Sequence, residues 1–430
     1  MPDAYKKTCL DNGIRVVTDT EPSVRSMSIA CLVGAGPQDE SNEQNGLAHF
    51  VEHLMFQGTT SRDASQIADF MDRAGGNIGA FTARDYTCYF ANVLDEYQTF
   101  GIELLSDILL NSIYPPERLE SERDAILNEI NTGYDIPGKL ANSLLKSTAW
   151  AGHPIGRPVA GKAESVGKLT REDAIYFVHE NYWPDRMIVA AAGNVIHEDF
   201  CAIVRDGFWR LLGKSWREPP PPPVHHGGIV FRQAPLKQAY FCIGVPAYSY
   251  DHKNRYALHV LNTLFGGGMS SRLFRHVRKE RGLVYHITSD YEAYRDAGML
   301  VIDGCTVPEY LSEVLDVVLA ELSGLATGKP IDDEELLRSK MQIRSQHLLS
   351  GENMNTRMSR LATQEFYFNR VVTADEILDD IESIEKSSLV EVANDLMHNA
   401  IKNVTIAVVG PDAPEHYSQE KISKVVEKYR

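Results

Sequence analysis

Basic residues are outnumbered in this chain: 43 Lys and Arg stand against 59 Asp and Glu, a net charge of −16 over 430 residues. A surface of that sign repels phosphate backbones and anionic headgroups, so neither nucleic acid nor membrane is an expected partner. No run of about 18 apolar residues occurs, which excludes a transmembrane helix. The opening residues, Met1-Pro2-Asp3-Ala4-Tyr5-Lys6-Lys7, lack the basic-then-apolar pattern of a secretory signal. Cysteine is rare. The six residues, at 9, 31, 88, 201, 242 and 305, form no C-x-x-C pair, and Cys31, Cys88, Cys242 and Cys305 lie in apolar, strand-like runs. That placement suits reduced core thiols, and a cytoplasmic location is the expectation. Neither G-x-x-x-x-G-K-[ST] nor G-x-G-x-x-G is present, so Gly266-Gly267-Gly268 does not read as a phosphate loop.

What is present is a chemical constellation in one pentapeptide, His49-Phe50-Val51-Glu52-His53. On a helix, His49 and His53 are i and i+4 and point the same way, with Cβ atoms about 5–6 Å apart. Two imidazole nitrogens at that spacing can hold one zinc ion at about 2.0–2.1 Å each. Glu52 lies beside the pair, free to act as a base. Zinc needs a third protein ligand and an open position for water, whose pKa it lowers toward about 7. A carboxylate can then take the proton for attack on a carbonyl. The order H-x-x-E-H inverts the commoner H-E-x-x-H and marks the inverted zincins.

The chain reads as one unit written twice. Five prolines, Pro219 to Pro223, followed by Val224-His225-His226-Gly227, form a stiff extended spacer. The expected domains are 1–216 and 228–430, with 217–227 as the linker. In the first, a strand at 28–33 precedes helices at 46–56 and 64–74, a strand at 86–94 and helices at 97–110 and 116–130. In the second, a strand at 239–245 precedes a helix at 256–265, strands near 284–291 and 298–304, and helices near 309–325 and 332–350. That order implies an α+β fold in which each half covers a mainly antiparallel sheet with helices. A rough register sets Leu47–His53 against Ala257–Thr263. The apolar positions persist, but Glu52 and His53 become Asn262 and Thr263.

The helix at 116–130 carries Glu117, Glu120, Glu122 and Glu129, and composition alone does not choose among them. Here the chain resembles the pitrilysin and mitochondrial-processing-peptidase family of inverted zincins, over about residues 5 to 420. The resemblance rests on H-x-x-E-H, on Glu129 lying 76 residues after His53, and on Arg278 and Tyr285 in the R-x6-Y segment. It implies a zinc metalloendopeptidase in which His49, His53 and Glu129 bind one Zn²⁺ per chain. Glu52 is then the catalytic base, and Glu122 orients a ligand. Arg278 and Tyr285 hold the substrate or its oxyanion. Gly79 and Ala80 lie in an edge strand on which substrate adds. At Gly79 the chain departs from relatives, which commonly carry Asn there, and this puts substrate preference in question. The resemblance further implies two homologous αβ domains forming half of a clamshell, a homodimer, and short or unfolded peptides as substrate. The other reading is a non-catalytic binding or assembly subunit of a heteromeric processing peptidase, since such relatives keep the fold and lose the metal residues.

Overall fold

A computed structural model describes residues 5–73, 75–215, 220–327 and 329–429. The first sheet contains β1 (Tyr5–Cys9), β2 (Arg15–Thr20), β3 (Ser26–Val33), β4 (Asn77–Thr82), β5 (Thr87–Leu94) and β6 (Met187–Gly193). Their order is β1-β2-β6-β3-β5-β4, antiparallel except where β2 pairs with β6. The second sheet contains β7 (Gly228–Gln233), β8 (Ala239–Ala247), β9 (His286–Ala293), β10 (Gly298–Thr306) and β11 (Thr405–Gly410). Its order, β7-β11-β8-β10-β9, is antiparallel except for β7 with β11. The α+β class is therefore the observed one. The second sheet repeats the first from β2 onward, with its single parallel pair at the same place.

In the first sheet, β3 is buried on both faces, which suits its apolar run. On one face lie α1 (Leu47–Met55), α2 (Ala64–Arg73), α3 (Gln98–Asn111) and α4 (Pro116–Tyr134). Ile29, Cys31 and Val33 meet Phe50, Leu54, Leu105 and Ile126 in that core. On the other face, Val17, Ala30, Leu32, Ile188 and Ala190 pack against Met358, Leu361 and Ala362. These last residues belong to the helix Met354–Phe368, far along the chain. The second sheet has the converse arrangement. Cys242, Val301, Ala407 and Val409 pack against Ala141, Leu145 and Ala149 of α5 (Pro137–Ala149), a helix from the first half of the sequence.

The compact units are accordingly discontinuous. One gathers the residues up to Asn131, Pro158–Pro220 and Leu348–Val372, and the other gathers Thr132–Arg157, Pro221–His347 and everything from Thr373. A cut within the proline run separates the sheets, but each half of the sequence also supplies a helix to the other's sheet. A simple division into 1–216 and 228–430 does not capture this. The physical reason is that amphipathic spacing shows a helix has a buried side and does not say which sheet will bury it. Of the linker, residues 217–219 lie outside the described residues, as does Ala74 at the expected end of α2. The described part, 220–227, has neither helix nor strand, and from Pro221 on it is tied to the second unit. His153 Nε2 meets the Pro221 carbonyl at 2.9 Å, and His226 N donates to the Ala149 carbonyl. His225 Nε2 lies 3.3 Å from Thr405 Oγ1.

The exchange of helices has a direct test. Residues 5–215 expressed alone leave one face of the first sheet uncovered, so they should aggregate or bind a hydrophobic dye and lack a cooperative melt. Co-expression of 220–430 as a separate chain should restore a soluble complex. A monomeric, cooperatively folding 5–215 fragment would contradict the assignment.

Candidate metal centre

The helix α1 forms where apolar residues recur at helical spacing: Leu47, Phe50, Val51 and Leu54 are all buried. Its start is fixed by two features the sequence reading did not single out. Gly46 takes φ +100°, and a Cβ there would sit 2.8 Å from the Ala160 carbonyl oxygen, so only glycine fits. Buried Glu40 supplies the capping charge. Its Oε2 accepts from Gly46 N at 2.9 Å and its Oε1 from Ala48 N at 2.8 Å. A carboxylate at the positive end of a helix both stabilises it and fills two orphan donors.

With α1 held this way, His49 and His53 emerge together, ring centroids 4.7 Å apart. The Glu129 Oε2 atom lies 3.6 Å from His49 Nε2 and 3.9 Å from His53 Nε2. Glu129 projects from α4, which Arg123 locks in place. The Arg123 guanidinium donates to the carbonyls of Val166 at 2.5 Å and Leu169 at 2.8 Å, and lies 5.5 Å from the Phe50 ring of α1. Ile126 and Ile130 are buried on the same face of α4 as Arg123, at i+3 and i+7 from it. Glu122, two turns before Glu129, meets His53 Nδ1 at 3.1 Å.

This donor set fits zinc. Ligand atoms about 2.0–2.2 Å from a tetrahedral ion stand roughly 3.3–3.6 Å from one another. Here the three donors lie within 4.8 Å of one another, two of the separations being 3.6 and 3.9 Å. His53 engages Glu122 through Nδ1, leaving Nε2 for a metal, the usual division of labour in a carboxylate–histidine–metal chain. His49 is buried, and its Nδ1 has no hydrogen-bond partner among the described residues. Burial, aided by the neighbouring His53, pushes the His49 pKa down to about 4, so its imidazole is neutral near pH 7. Neutral imidazole is the form that binds metal.

Glu52 points from α1 toward β4, where Thr82 Oγ1 donates to its Oε2 at 2.5 Å. Burial raises the Glu52 carboxyl above the usual range, and the Thr82 hydroxyl opposes that shift. Thr82 was missed as a functional residue, although it closes the Gly75–Thr82 run that drew attention to Gly79. The second unit repeats the contact without the charge: Ser289 Oγ of β9 donates to Asn262 Oδ1 at 2.6 Å. Asn262 is the position matched to Glu52. A helix-to-edge-strand hydrogen bond is thus common to both units, and only the first places a carboxylate in it.

The remaining expected residues group separately. Gly79 and Ala80 lie on β4, the edge strand of the first sheet. Arg278 and Tyr285 lie in the second unit and touch each other. The Arg278 guanidinium carbon is 5.2 Å from the Tyr285 ring centroid and 4.8 Å from that of Phe274, and Tyr285 is 76% exposed. Arg278 sits on a π-helical turn, Phe274–Lys279, a local departure often found at functional positions.

Comparison with known proteins points the same way. Residues 15–163 match the family described as Insulinase (Peptidase family M16), and residues 168–343 match the one described as Peptidase M16 inactive domain. The uncharacterized zinc protease YmxG of Bacillus subtilis is 32% identical, covering 94% of this chain and 98% of its own length. An uncharacterized zinc protease of Mycobacterium tuberculosis is 35% identical, covering 98% and 97%. Among solved structures, a protease from Helicobacter pylori superposes with a TM-score of 0.88 at 20% identity over 95% of this chain and 99% of that one. A peptidase M16 inactive domain from Pseudomonas fluorescens gives 0.87 at 19% identity over 95% and 98%.

Two outcomes test the centre. Glu129→Gln should lose bound zinc by elemental analysis, and Glu122→Gln should weaken zinc binding by about 10- to 100-fold while leaving the fold intact. The metal-free protein should also respond to acid through His49. An unfolded His takes up its proton near pH 6.5, the folded one near 4, so this stability is present above about 6.5 and is lost as pH falls toward 4. The loss is on the order of 3 kcal/mol. Thermal melts of metal-free wild type should fall more steeply across that window than those of His49→Gln.

Proposed function

Because the chain belongs to peptidase family M16, we propose that it is a zinc-dependent metalloendopeptidase cleaving short or unfolded peptides. The observation that carries this reading is the convergence of His49, His53 and Glu129 with Glu52 alongside. A bound Zn²⁺ would supply Lewis acidity, polarising a peptide carbonyl and acidifying water. The protein residues do the rest. Glu52 receives the proton of the attacking water and returns it to the leaving amine. Thr82 keeps the Glu52 carboxylate aimed. Glu122 holds the His53 ring in the tautomer that frees Nε2. The main chain of β4 around Gly79 and Ala80 pairs with an extended peptide, because an edge strand has one set of unpaired N–H and C=O groups. Arg278 and Tyr285 bind the substrate or its developing oxyanion.

The finer parts of the proposal are a homodimer acting in the cytoplasm. None of the described helices is long and apolar enough to cross a membrane. The second unit lacks the motif, and the rival reading is that the whole chain serves only as a binding or assembly subunit. Retention of every expected zinc residue favours the peptidase.

The deciding experiment measures metal content and peptide hydrolysis together. Glu52→Gln should keep its zinc and its fold, since the second unit already accommodates a neutral amide at the matched position, yet lose about 10²- to 10⁴-fold in cleavage rate. Cleavage by wild type should vanish with a chelator and return with Zn²⁺. An undiminished rate in Glu52→Gln would remove that residue as the base, and a wild type that binds zinc and peptide without cleaving would favour the subunit reading.

A further inference from the structure

We propose that Phe90, reaching across the gap left at Gly79, sets the sequence preference of the enzyme by favouring a large apolar side chain at one position of the peptide. The inference rests on the peptidase reading and on addition of the peptide to the edge of β4. It starts from the departure at Gly79, which the mechanism leaves unused.

Side chains of β4 alternate between two faces. Ile78 and Ala80 pack into the core shared with α1, and Thr82 bonds Glu52 on that side. Gly79 and Phe81 fall on the opposite face. Phe90 of β5 stands directly across from Gly79 in the register. Its ring does not stay over β5. A Cβ built at Gly79 would meet the ring tip, with Cζ at 2.7 Å, Cε1 at 3.1 Å and Cε2 at 3.4 Å. The ring therefore lies over β4 itself, pointing toward the free edge. Any larger residue at 79 would displace it. An Asn side chain and this ring orientation exclude each other, so the departure at 79 exchanges a polar group for an aromatic surface.

That surface is continuous and partly open. The rings of Phe81 and Phe90 are 6.5 Å apart, and Phe81 and Tyr86 are 6.1 Å apart. Phe81 is 41% exposed. On this face Phe366 of the helix Met354–Phe368 packs on Tyr86 at 5.4 Å, and Phe90, itself partly buried, borders the core beneath that helix. A strand added to β4 would lie about 4.8 Å beyond it. The peptide residue opposite Gly79 with its side chain on this face would meet the Phe90 ring tip flanked by Phe81. A large apolar group, aromatic above all, is the chemistry that fills such a notch.

The test uses the full chain loaded with zinc. A positional-scanning peptide library first locates the preferred position. Two peptides differing only by Phe or Ala at that position are then compared in wild type, Phe90→Ala, Phe90→Leu and Gly79→Ala. Wild type should prefer the Phe peptide by about tenfold or more in kcat/KM, within the range that apolar pockets achieve. Phe90→Ala should bring the ratio to within about twofold, and Gly79→Ala should lower it by pushing the ring aside. The same pair is measured for binding to zinc-loaded Glu52→Gln by fluorescence anisotropy, which reads the notch without catalysis. A Phe-to-Ala ratio unchanged in folded, zinc-replete Phe90→Ala and Gly79→Ala overturns the inference and leaves the peptidase reading standing. A wild type that neither cleaves nor binds peptide overturns both.

Discussion

An α-helix returns to the same side every 3.6 residues, and the candidate centre depends on that constraint. His49 and His53 can approach one cation only while α1 stays helical and does not rotate. The structure spends several otherwise unusual residues on holding it. Glu40 is a buried carboxylate satisfied by the first turn of the helix. Gly46 has a backbone and a clearance only glycine tolerates. Arg123 binds α4 to the Phe50 side of α1 and so sets the depth at which Glu129 arrives. None of the three touches the donor atoms.

The two units offer an internal control on which features belong to the fold and which to chemistry. The strand order, the single parallel pair and the bond from edge strand to helix recur in both. The carboxylate and the second imidazole occur only in the first. A neutral acceptor is sufficient to join the helix to its edge strand, as Asn262 and Ser289 do. The charge at Glu52 is therefore not required for packing, and its burial works against ionisation. A group kept against such a cost is a candidate for catalysis, the general pattern of perturbed carboxylates in clefts.

Much of this was legible in the sequence, for reasons that differ by residue. His49, Glu52 and His53 are local in sequence, so helical periodicity alone brings them to one side. Glu129 is not local. It was one of four glutamates on its helix, and only the spacing of a known family selected it. Most expected helices and strands fall within a few residues of those observed, because their apolar periodicity is strong. The helices α5 and Met354–Phe368 were not anticipated as covers for each other's sheets, since their spacing of buried residues is compatible with any apolar face. Thr82 escaped notice because a single hydroxyl in a strand carries no pattern; its meaning comes from the carboxylate across from it.

The late arrival of the helix Met354–Phe368 also sets a timetable. The last strand of the first sheet ends at Gly193, but the helix that seals its outer face ends 175 residues later. At ribosomal rates of about 5–20 residues per second, that face waits roughly 10–30 s after the sheet's strands have been made. During synthesis the nascent chain carries a bare layer of valine, leucine, isoleucine and alanine, and its fate then depends on what shelters that layer in the cell.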